Sequence, residues 1–383
     1  YIKWDGELAF TALLKELMNR EMNLESFKKD VRDMGNVCFI WKGDYFEGPD
    51  ERVLNLNDMP SPYLTGMFDE FFEQQLTPIM ETTRGCPYSC TFCNDGHSSR
   101  SKIYRKSDAM ISDELEYMAK RSNNAPQLML TDLNFGMFKE DIITSHTIKR
   151  MIDKYNWPLR LETSTGKSQP KRLMESNNII NSGNSGILKL GYSFQSTSND
   201  VISHVKRRNL SIDDLLQMKE YKTDVGKDNT EFFTELILGL PKDTKEHHFN
   251  SLKDVIDKLG MNNIDVHQLT LLKGSELGSL KSRQDFDFEI AFRAYVGCIG
   301  IYKIGYSDIP VAEVEEIAIQ SNTMNLDDYM ECRIMTLLVK IYIDHEPFRP
   351  VFNFIKKKNL SSFEVLRLLK EQYFENYDSL RKL

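Results

Sequence analysis

From about residue 76 the chain settles into a rhythm that limits its fold. Short apolar runs suited to strands alternate with longer amphipathic runs suited to helices. Strand candidates fall near 77–82, 127–132, 159–164, 187–194, 232–238 and 264–271. Helix candidates lie between them, near 107–121, 139–155, 170–181, 198–225 (long enough for two pieces) and 243–260. Ser107 is placed to cap the first of these helices, and Asp243 or Thr244, just after Pro241, the last. Parallel neighbours need long crossovers, so β-then-α units of this length predict a parallel sheet with right-handed connections. The fold class is α/β, either doubly wound or an incomplete (β/α)6 TIM-like barrel; periodicity alone does not separate the two.

Both flanks break the rhythm. Residues 7–19 read as an amphipathic helix, Val37 to Trp41 as a weak strand, and Asp58 to Tyr63, with two prolines, as a linker. After about residue 280 the chain looks mainly helical, with helices expected near 285–296, 326–345 and 361–380 and a strand-like interruption at 311–319. The Lys356–Lys358 run reads as a solvated surface. Three parts follow: an N-terminal extension and linker (1–64), a core (65–282) and a mainly helical C-terminal region (283–383).

Of the 383 residues, 49 are Lys or Arg and 57 are Asp or Glu, a formal charge of −8 that argues against a nucleic-acid partner. No apolar run approaches the roughly 20 residues of a membrane span. The nearest candidate, Ile334 to Ile343, contains Lys340. With no secretory signal in view, a cytoplasmic protein without a membrane partner is expected. The chain opens on Tyr1 rather than Met, as an excised piece would.

The cysteines carry the strongest chemical signal. There are six, and three of them, Cys86, Cys90 and Cys93, fall within eight residues in the run Glu81-Thr-Thr-Arg-Gly-Cys-Pro-Tyr-Ser-Cys-Thr-Phe-Cys. Such clustering in a Cys-poor chain points to a metal or redox site rather than a disulfide scaffold. Three thiolates can hold an iron–sulfur cluster that leaves one iron open to a small molecule. They could also form a structural zinc site with His97 as fourth ligand, in which case the protein would bind without turnover. Cys38, Cys298 and Cys332 stand alone and read as small buried hydrophobes.

A C-x3-C-x2-C motif after the first strand, with Phe92 before the last cysteine and βα units following, resembles the radical S-adenosylmethionine (SAM) superfamily over roughly residues 76–280. The resemblance implies a [4Fe–4S] cluster on Cys86, Cys90 and Cys93 and SAM chelating its open iron. Reductive cleavage would then give a 5′-deoxyadenosyl radical that abstracts hydrogen from a substrate. It implies further contacts residue by residue. Asp132 and Asn134, in Leu130-Thr-Asp-Leu-Asn-Phe-Gly136, sit where the family contacts the methionine amino group, though the common Gly-Gly-Glu form is lacking. Glu162 matches a ribose-binding acid. Ser193 and Gln195 end the fourth strand, and Gln195 with Arg207 resembles a cofactor-holding pair of coproporphyrinogen-oxidase-like members. Glu235 and Ile237 lie in a fifth-strand motif, and His267 in the sixth strand, whose backbone meets the adenine edge. The bland alternatives are a solvated helix face for Arg207, a buried-cation partner for Glu235, a sheet-edge charge for Glu162, and turn chemistry for Gly239 and Pro241.

The flanks resemble the subfamily in which a cobalamin-binding domain precedes the radical core. Gly6 to Phe10 is similar to the last helix of that domain, and Met59 to Leu64 to the linker after it, so most of that domain would lie outside this chain. Cobalamin-dependent methylation is the implied outcome, with an electron donor such as a flavodoxin or ferredoxin as partner. A tRNA-methylthiolating activity fits poorly with a helical tail and an acidic charge.

Overall fold

The structure is a computed structural model, and it describes residues 1–122, 124–183, 186–216 and 232–376. The expected helix at 198–225 therefore falls partly, from 217 onward, outside the described residues, as does the end of the last helix from 377.

At the N-terminus, α1 (Gly6–Asn19) and α2 (Leu24–Asp30) pack on the hairpin β1 (Cys38–Trp41) and β2 (Asp44–Glu47) around Ala9, Leu17, Phe27 and Val37. The regular region starts with the two-residue strand β3 (Ile79–Met80), shorter than expected. A small antiparallel pair, β4 (Thr83–Arg84) and β5 (Tyr104–Arg105), brackets the cysteine loop. Then follow α3 (Asp108–Ala119), β6 (Gln127–Phe135), α4 (Glu140–Tyr155), β7 (Arg160–Thr165), α5 (Pro170–Asn181), β8 (Leu190–Gln195), α6 (Asn199–His204), β9 (Phe232–Leu238), α7 (Lys245–Lys253) and β10 (Ile264–Gln268). The capping expectations are met where a side chain accepts: Ser107 takes the Met110 N–H, and Thr244, rather than Asp243, takes the His247 N–H.

All pairings among β3, β6, β7, β8, β9 and β10 are parallel. They form two three-stranded sheets, ordered β3-β6-β7 and β8-β9-β10, that meet at one parallel bridge, Leu161–Leu188. No closed barrel forms among the described residues. Alternation along β6 shows how each sheet is anchored: Leu128, Leu130 and Asp132 are buried, while Met129 and Thr131 are not. The buried side meets α3 and α4 through Ile111, Leu115, Met118, Ile148 and Met151. In the second sheet, Leu190, Tyr192, Leu236 and Ile264 are buried with Leu252, Val255, Met335, Val339 and Leu366. The C-terminal helices α9 (Leu326–Val339) and α11 (Ser362–Asn376) supply the last three, so the tail is a cover for the sheet.

The opposite face of the sheets is polar and open. It carries Thr131, Arg160, Glu162, Lys189, Ser193, Glu235 and His267 at alternate positions. Gly191 also lies on this face, and a Cβ there would sit 1.9 Å from Cζ of Phe233, so only glycine lets that ring lie across the sheet.

One expectation fails outright. Residues 285–296 are not a helix. After a short α8 (Leu280–Asp285), the chain forms a long hairpin of β11 (Glu289–Ile304) and β12 (Ser307–Gln320). The helical spacing of apolar residues in 285–296 was misleading. The β-branched and aromatic run from Ile290 to Ile304, with Gly297 and Gly300, suits an extended ribbon. Gly305 at φ +61° opens the two-residue turn that closes it. The strand-like reading of 311–319 is the other arm. The C-terminal region is thus a hairpin followed by helices, with α10 (Arg349–Lys357) between α9 and α11.

Candidate active site

The cysteine loop runs over the C-terminal ends of the strands, the edge at which parallel α/β folds bind ligands. Its path is fixed by backbone bonds. Cys86 N–H donates to the Arg100 carbonyl at 2.9 Å, Cys93 N–H to the Cys90 carbonyl at 3.1 Å, and Thr91 N–H to the Val205 carbonyl at 3.1 Å. The Leu277 N–H donates back to the Thr91 carbonyl at 2.9 Å, so the loop is tied to the end of α6 and to the turn after β10. Gly85 (φ +105°) and Gly96 allow the tight packing: a Cβ at Gly96 would meet the Cys90 carbonyl at 2.4 Å.

Cys86, Cys90 and Cys93 are all free thiols, with Cys90 the most buried. Asn134, at the end of β6, donates its Nδ2 to the Cys86 Sγ at 3.3 Å, and its buried Oδ1 has no partner among the described residues. Among the described residues no three His, Cys, Asp or Glu side chains close on a single-ion site. A zinc ion with Zn–S bonds of about 2.3 Å demands that its ligands meet tightly, whereas a four-iron cube spreads three thiolates over three corners. His97 is engaged elsewhere: its ring stacks on Trp4 at 4.7 Å and its Nδ1 bonds Ser99. The donor set of three thiols without a histidine fits a cluster rather than a Cys3His zinc site.

Asp132 does not point into this space. It is buried, and its two oxygens accept the Thr82 and Thr83 N–H groups, at 2.7 and 3.2 Å, and the Thr82 hydroxyl. Burial pushes its carboxyl up to about 6 against those hydrogen bonds. The side chain pins the chain just before the cysteine loop onto β6, so its expected role as an amino-group contact is unsupported. Asn134 is the residue of that segment that faces the cysteines.

Ser193, Gln195, Arg207, Glu235 and His267 come together, as the sequence suggested. Between Ser193 and Gln195 the β8–β9 ladder slips by one residue, a bulge of the kind found beside active sites. Gln195 takes φ +64°, is buried, and leaves its Oε1 without a partner among the described residues. Asn209 braces this bend, donating its amide to the Phe194 and Ser196 carbonyls at 2.8 and 3.0 Å. Arg207 is only 5% exposed, which excludes the solvated-face reading. Its Nε donates to Asn209 Oδ1 at 2.9 Å and its guanidinium reaches the Ser193 carbonyl. It touches no carboxylate among the described residues. Its neighbour Lys206 takes the surface role instead, paired with Glu276 at 2.6 Å.

Glu235 bonds the Ser193 hydroxyl and faces His267 Nε2 at 3.8 Å. The His267 contact holds its carboxyl below the usual range, and Glu235 in turn raises His267. Ile237, one step further along β9, packs with Phe92 of the cysteine loop against Leu269 and Leu271. Ile237, His267 and Phe92 also line a cavity of about 760 Å³ that continues between the end of β10 and the hairpin base, past Phe292, Arg293 and Tyr295.

Glu162 lies elsewhere. The Leu161–Leu188 bridge sets it level with Lys189, four residues before Ser193. At about 3.3 Å per residue that is roughly 13 Å toward the N-terminal ends of the strands. There it lines a separate cavity of about 520 Å³ with Arg160, Lys189 and Phe233.

Lys167 was missed. It follows β7 in Thr165-Gly-Lys-Ser, and burial lowers its ammonium pKa, with the Arg207 charge adding to the shift and all three cysteines opposing it. It sits near enough to Glu235 to help lower that carboxyl. Its ammonium makes no hydrogen bond or ion pair among the described residues. The available signal was its place: a cation just past the end of a strand, on the ligand-binding edge.

One edge of the parallel strands thus gathers a free three-thiol loop, two buried cations, an acid and amide oxygens unpaired among the described residues. The fold is similar to that of solved radical SAM enzymes. The structure of the methyltransferase TsrM from Kitasatospora setae, solved with tryptophan and a SAM analogue, aligns with a TM-score of 0.54 at 14% identity, over 81% of this chain and 57% of that one. The structure of the cobalamin-dependent enzyme OxsB, with aqua-cobalamin and SAM bound, aligns at 0.58 and 12% identity, over 98% and 56%.

In sequence the chain is 26% identical over 337 residues to the cobalamin-dependent radical SAM methyltransferase TokK of Streptomyces tokunonensis, covering 85% of this chain and 46% of that protein. It is 24% identical over 294 residues to the 2-(S-pantetheinyl)-carbapenam-3-carboxylate methyltransferase of Streptantibioticus cattleyicolor, covering 74% and 41%. No family model matches. The chain is thus similar in sequence to curated methyltransferases, one of them a cobalamin-dependent radical SAM enzyme, and it spans less than half the length of these relatives.

Proposed function

We propose that this chain is the radical SAM portion of a cobalamin-dependent methyltransferase. Its core (65–282) would form the wall of an incomplete (β/α)6 barrel, with 1–64 the end of a cobalamin-binding domain and its linker. The observation that carries the reading is the meeting of the free three-thiol loop with Asn134, Lys167, Arg207 and Glu235 at one edge of the parallel strands. Cys86, Cys90 and Cys93 would hold the [4Fe–4S] cluster. When bound, the cluster with its open iron supplies the electron that cleaves SAM to methionine and a 5′-deoxyadenosyl radical.

The chain's own groups bind and orient the zwitterionic cofactor. Lys167 and Arg207 offer uncompensated positive charge for its carboxylate. The unpartnered Asn134 Oδ1 and Gln195 Oε1 accept from its ammonium. Glu235, set by Ser193 and His267, accepts from ribose hydroxyls. Ile237 and Phe92 give apolar walls for the base. Cobalamin, a substrate that becomes methylated and a flavodoxin- or ferredoxin-like electron donor complete the proposal, in the cytoplasm. No helix among the described residues is long and apolar enough to cross a membrane.

The test is anaerobic reconstitution with iron and sulfide, then SAM and a strong reductant, with 5′-deoxyadenosine read by mass spectrometry. Parent protein is expected to hold about four irons and sulfides per chain and to form 5′-deoxyadenosine, and Cys90→Ala to do neither. Zinc without labile sulfide in the parent, or cleavage retained in Cys90→Ala, overturns the assignment.

A further inference from the structure

The N-terminal extension grips the cysteine loop at both of its ends. Residues 82–86 lead into the loop and 97–105 lead out of it. The two legs touch at Gly85, where a Cβ would meet the Lys102 carbonyl at 2.4 Å. The outgoing leg is held at two points. Trp4 stacks its ring on His97 at 4.7 Å, and does so at φ +58°, a conformation rare for a bulky residue. Arg52 donates to the Ser99 carbonyl and lays its guanidinium over the Tyr104 ring at 5.3 Å. The incoming leg is held through Arg84, two residues before Cys86. Its guanidinium bonds Glu81 within the leg and Glu7 of α1, both at 2.8 Å.

Asp5 joins the two grips. This buried carboxylate accepts from Arg52 Nε at 2.8 Å and from the Val53 N–H at 3.0 Å, and its other oxygen faces Arg84 at 3.8 Å. The extension in turn fixes these residues from behind. Trp4 Nε1 donates to Asp50 at 3.0 Å, and the Asn36 amide bridges the Asp5 and Glu51 carbonyls at 3.1 and 2.8 Å. These contacts act on the backbone that carries the thiols, not on the thiols themselves. A planar guanidinium that forks between two acceptors fixes direction as well as distance, which suits Arg52 to such a task.

We propose that Trp4, Asp5 and Arg52 are positioning residues for the cluster: by clamping both legs of the loop they set where Cys86, Cys90 and Cys93 stand relative to Lys167 and Arg207, and so how well SAM fits between the open iron and those cations. The inference rests on the reading of the site as a radical SAM centre. It makes the extension part of the site, and a shift of α1 is passed through Glu7, Asp5 and Arg84 to the loop. Partners that orient metal ligands from outside are typically worth about 10–100-fold in metal affinity or activity.

The test uses the full reconstituted chain and reads SAM affinity by calorimetry beside iron and sulfide content. Arg52→Met releases the Ser99 carbonyl and one side of Asp5. It is expected to weaken SAM binding about tenfold with iron content and circular dichroism unchanged, and to alter the electron paramagnetic resonance spectrum of the reduced, SAM-bound cluster. Trp4→Ala removes the stack on His97 and is expected to move both readouts the same way, and Trp4→Phe, which keeps a ring there, to restore them. Arg20→Met is the control, since Arg20 pairs with Glu16 at 2.7 Å and Asp30 at 2.8 Å, both inside the extension. It is expected to lower the thermal midpoint and leave affinity and spectrum at the parent values. If Arg52→Met does not fold, Trp4→Ala and its rescue decide. Parent affinity and spectrum in the clamp variants overturn the proposal, as does an equal loss in Arg20→Met. A parent chain that takes up no cluster overturns the radical SAM reading and this inference together; a loaded parent matched by its clamp variants overturns the inference alone.

Discussion

Replacing Asp132 separates a structural carboxylate from a cofactor contact. Its pKa, raised from 3.8 to about 6 by burial, is worth about 3 kcal/mol at 1.36 kcal/mol per pH unit. The sign follows from proton binding. Between about 3.8 and 6 the folded state holds more proton than the unfolded one, so this group's contribution falls as pH rises through that window and stays lost above it. Asp132→Asn keeps an oxygen for the two backbone N–H groups and turns its amide toward the Thr82 hydroxyl, which can accept. It removes the buried charge, so urea denaturation at pH 8 should show it as stable as the parent, or more stable by up to about 3 kcal/mol, with the difference shrinking toward pH 5. Asp132→Ala leaves three donors without an acceptor and should cost about 2–4 kcal/mol at either pH. SAM affinity by calorimetry should stay within about threefold of the parent in Asp132→Asn. A stable Asp132→Asn protein that loses tenfold or more in SAM affinity would refute the structural assignment. So would an Asn variant less stable than the parent at pH 8.

Two other substitutions bear on the fold and the site. Arg207→Ala should weaken SAM binding tenfold or more, since a charge-assisted contact is worth about 1.5–3 kcal/mol, while iron content stays at the parent value; Lys167→Met should do the same. Unchanged affinity in both would remove the carboxylate role from this pair of cations. Lys106 holds the buried Glu114 at 2.7 Å, so Lys106→Met should cost about 3–5 kcal/mol by stranding that acid, and adding Glu114→Met should restore most of it. Denaturant titration of the single and double variants decides, and a single variant within 1 kcal/mol of the parent would count against the pair.

Much of the core was legible because its elements obey local rules. The helix at 170–181 and the strand at 232–238 match their expected limits, since a proline at N1 and a short, largely apolar run ending before Gly239 state their boundaries in the sequence. The cysteine motif was legible for the same reason, since its spacing is local. The errors came where the answer depended on distant partners. Residues 285–296 satisfy helical spacing by themselves, and what makes them a strand is β12, some 20 residues away across the turn at Gly305. Asp132 and Asn134 are two residues apart on one strand, yet the N–H groups of Thr82 and Thr83 claim Asp132 and the Cys86 thiol claims Asn134. Glu162 carried the right chemistry at the wrong height, and height is set by the register between sheets. For Arg207 the resemblance gave a cofactor contact where its neighbours Lys206 and Arg208 suggested only a solvated face, and its bonds to Asn209 and the Ser193 carbonyl beside the bulge at Phe194 hold it inward.

The ring of Phe233 lies across Gly191 midway between the polar groups at one end of the strands and Arg160, Glu162 and Lys189 at the other. It stands between the two groups on one sheet face. On the proposed reading, radical chemistry at the upper end would need water kept from that side too, and the ring's place there hangs on the absence of one methyl group, at a position with no functional side chain to mark it.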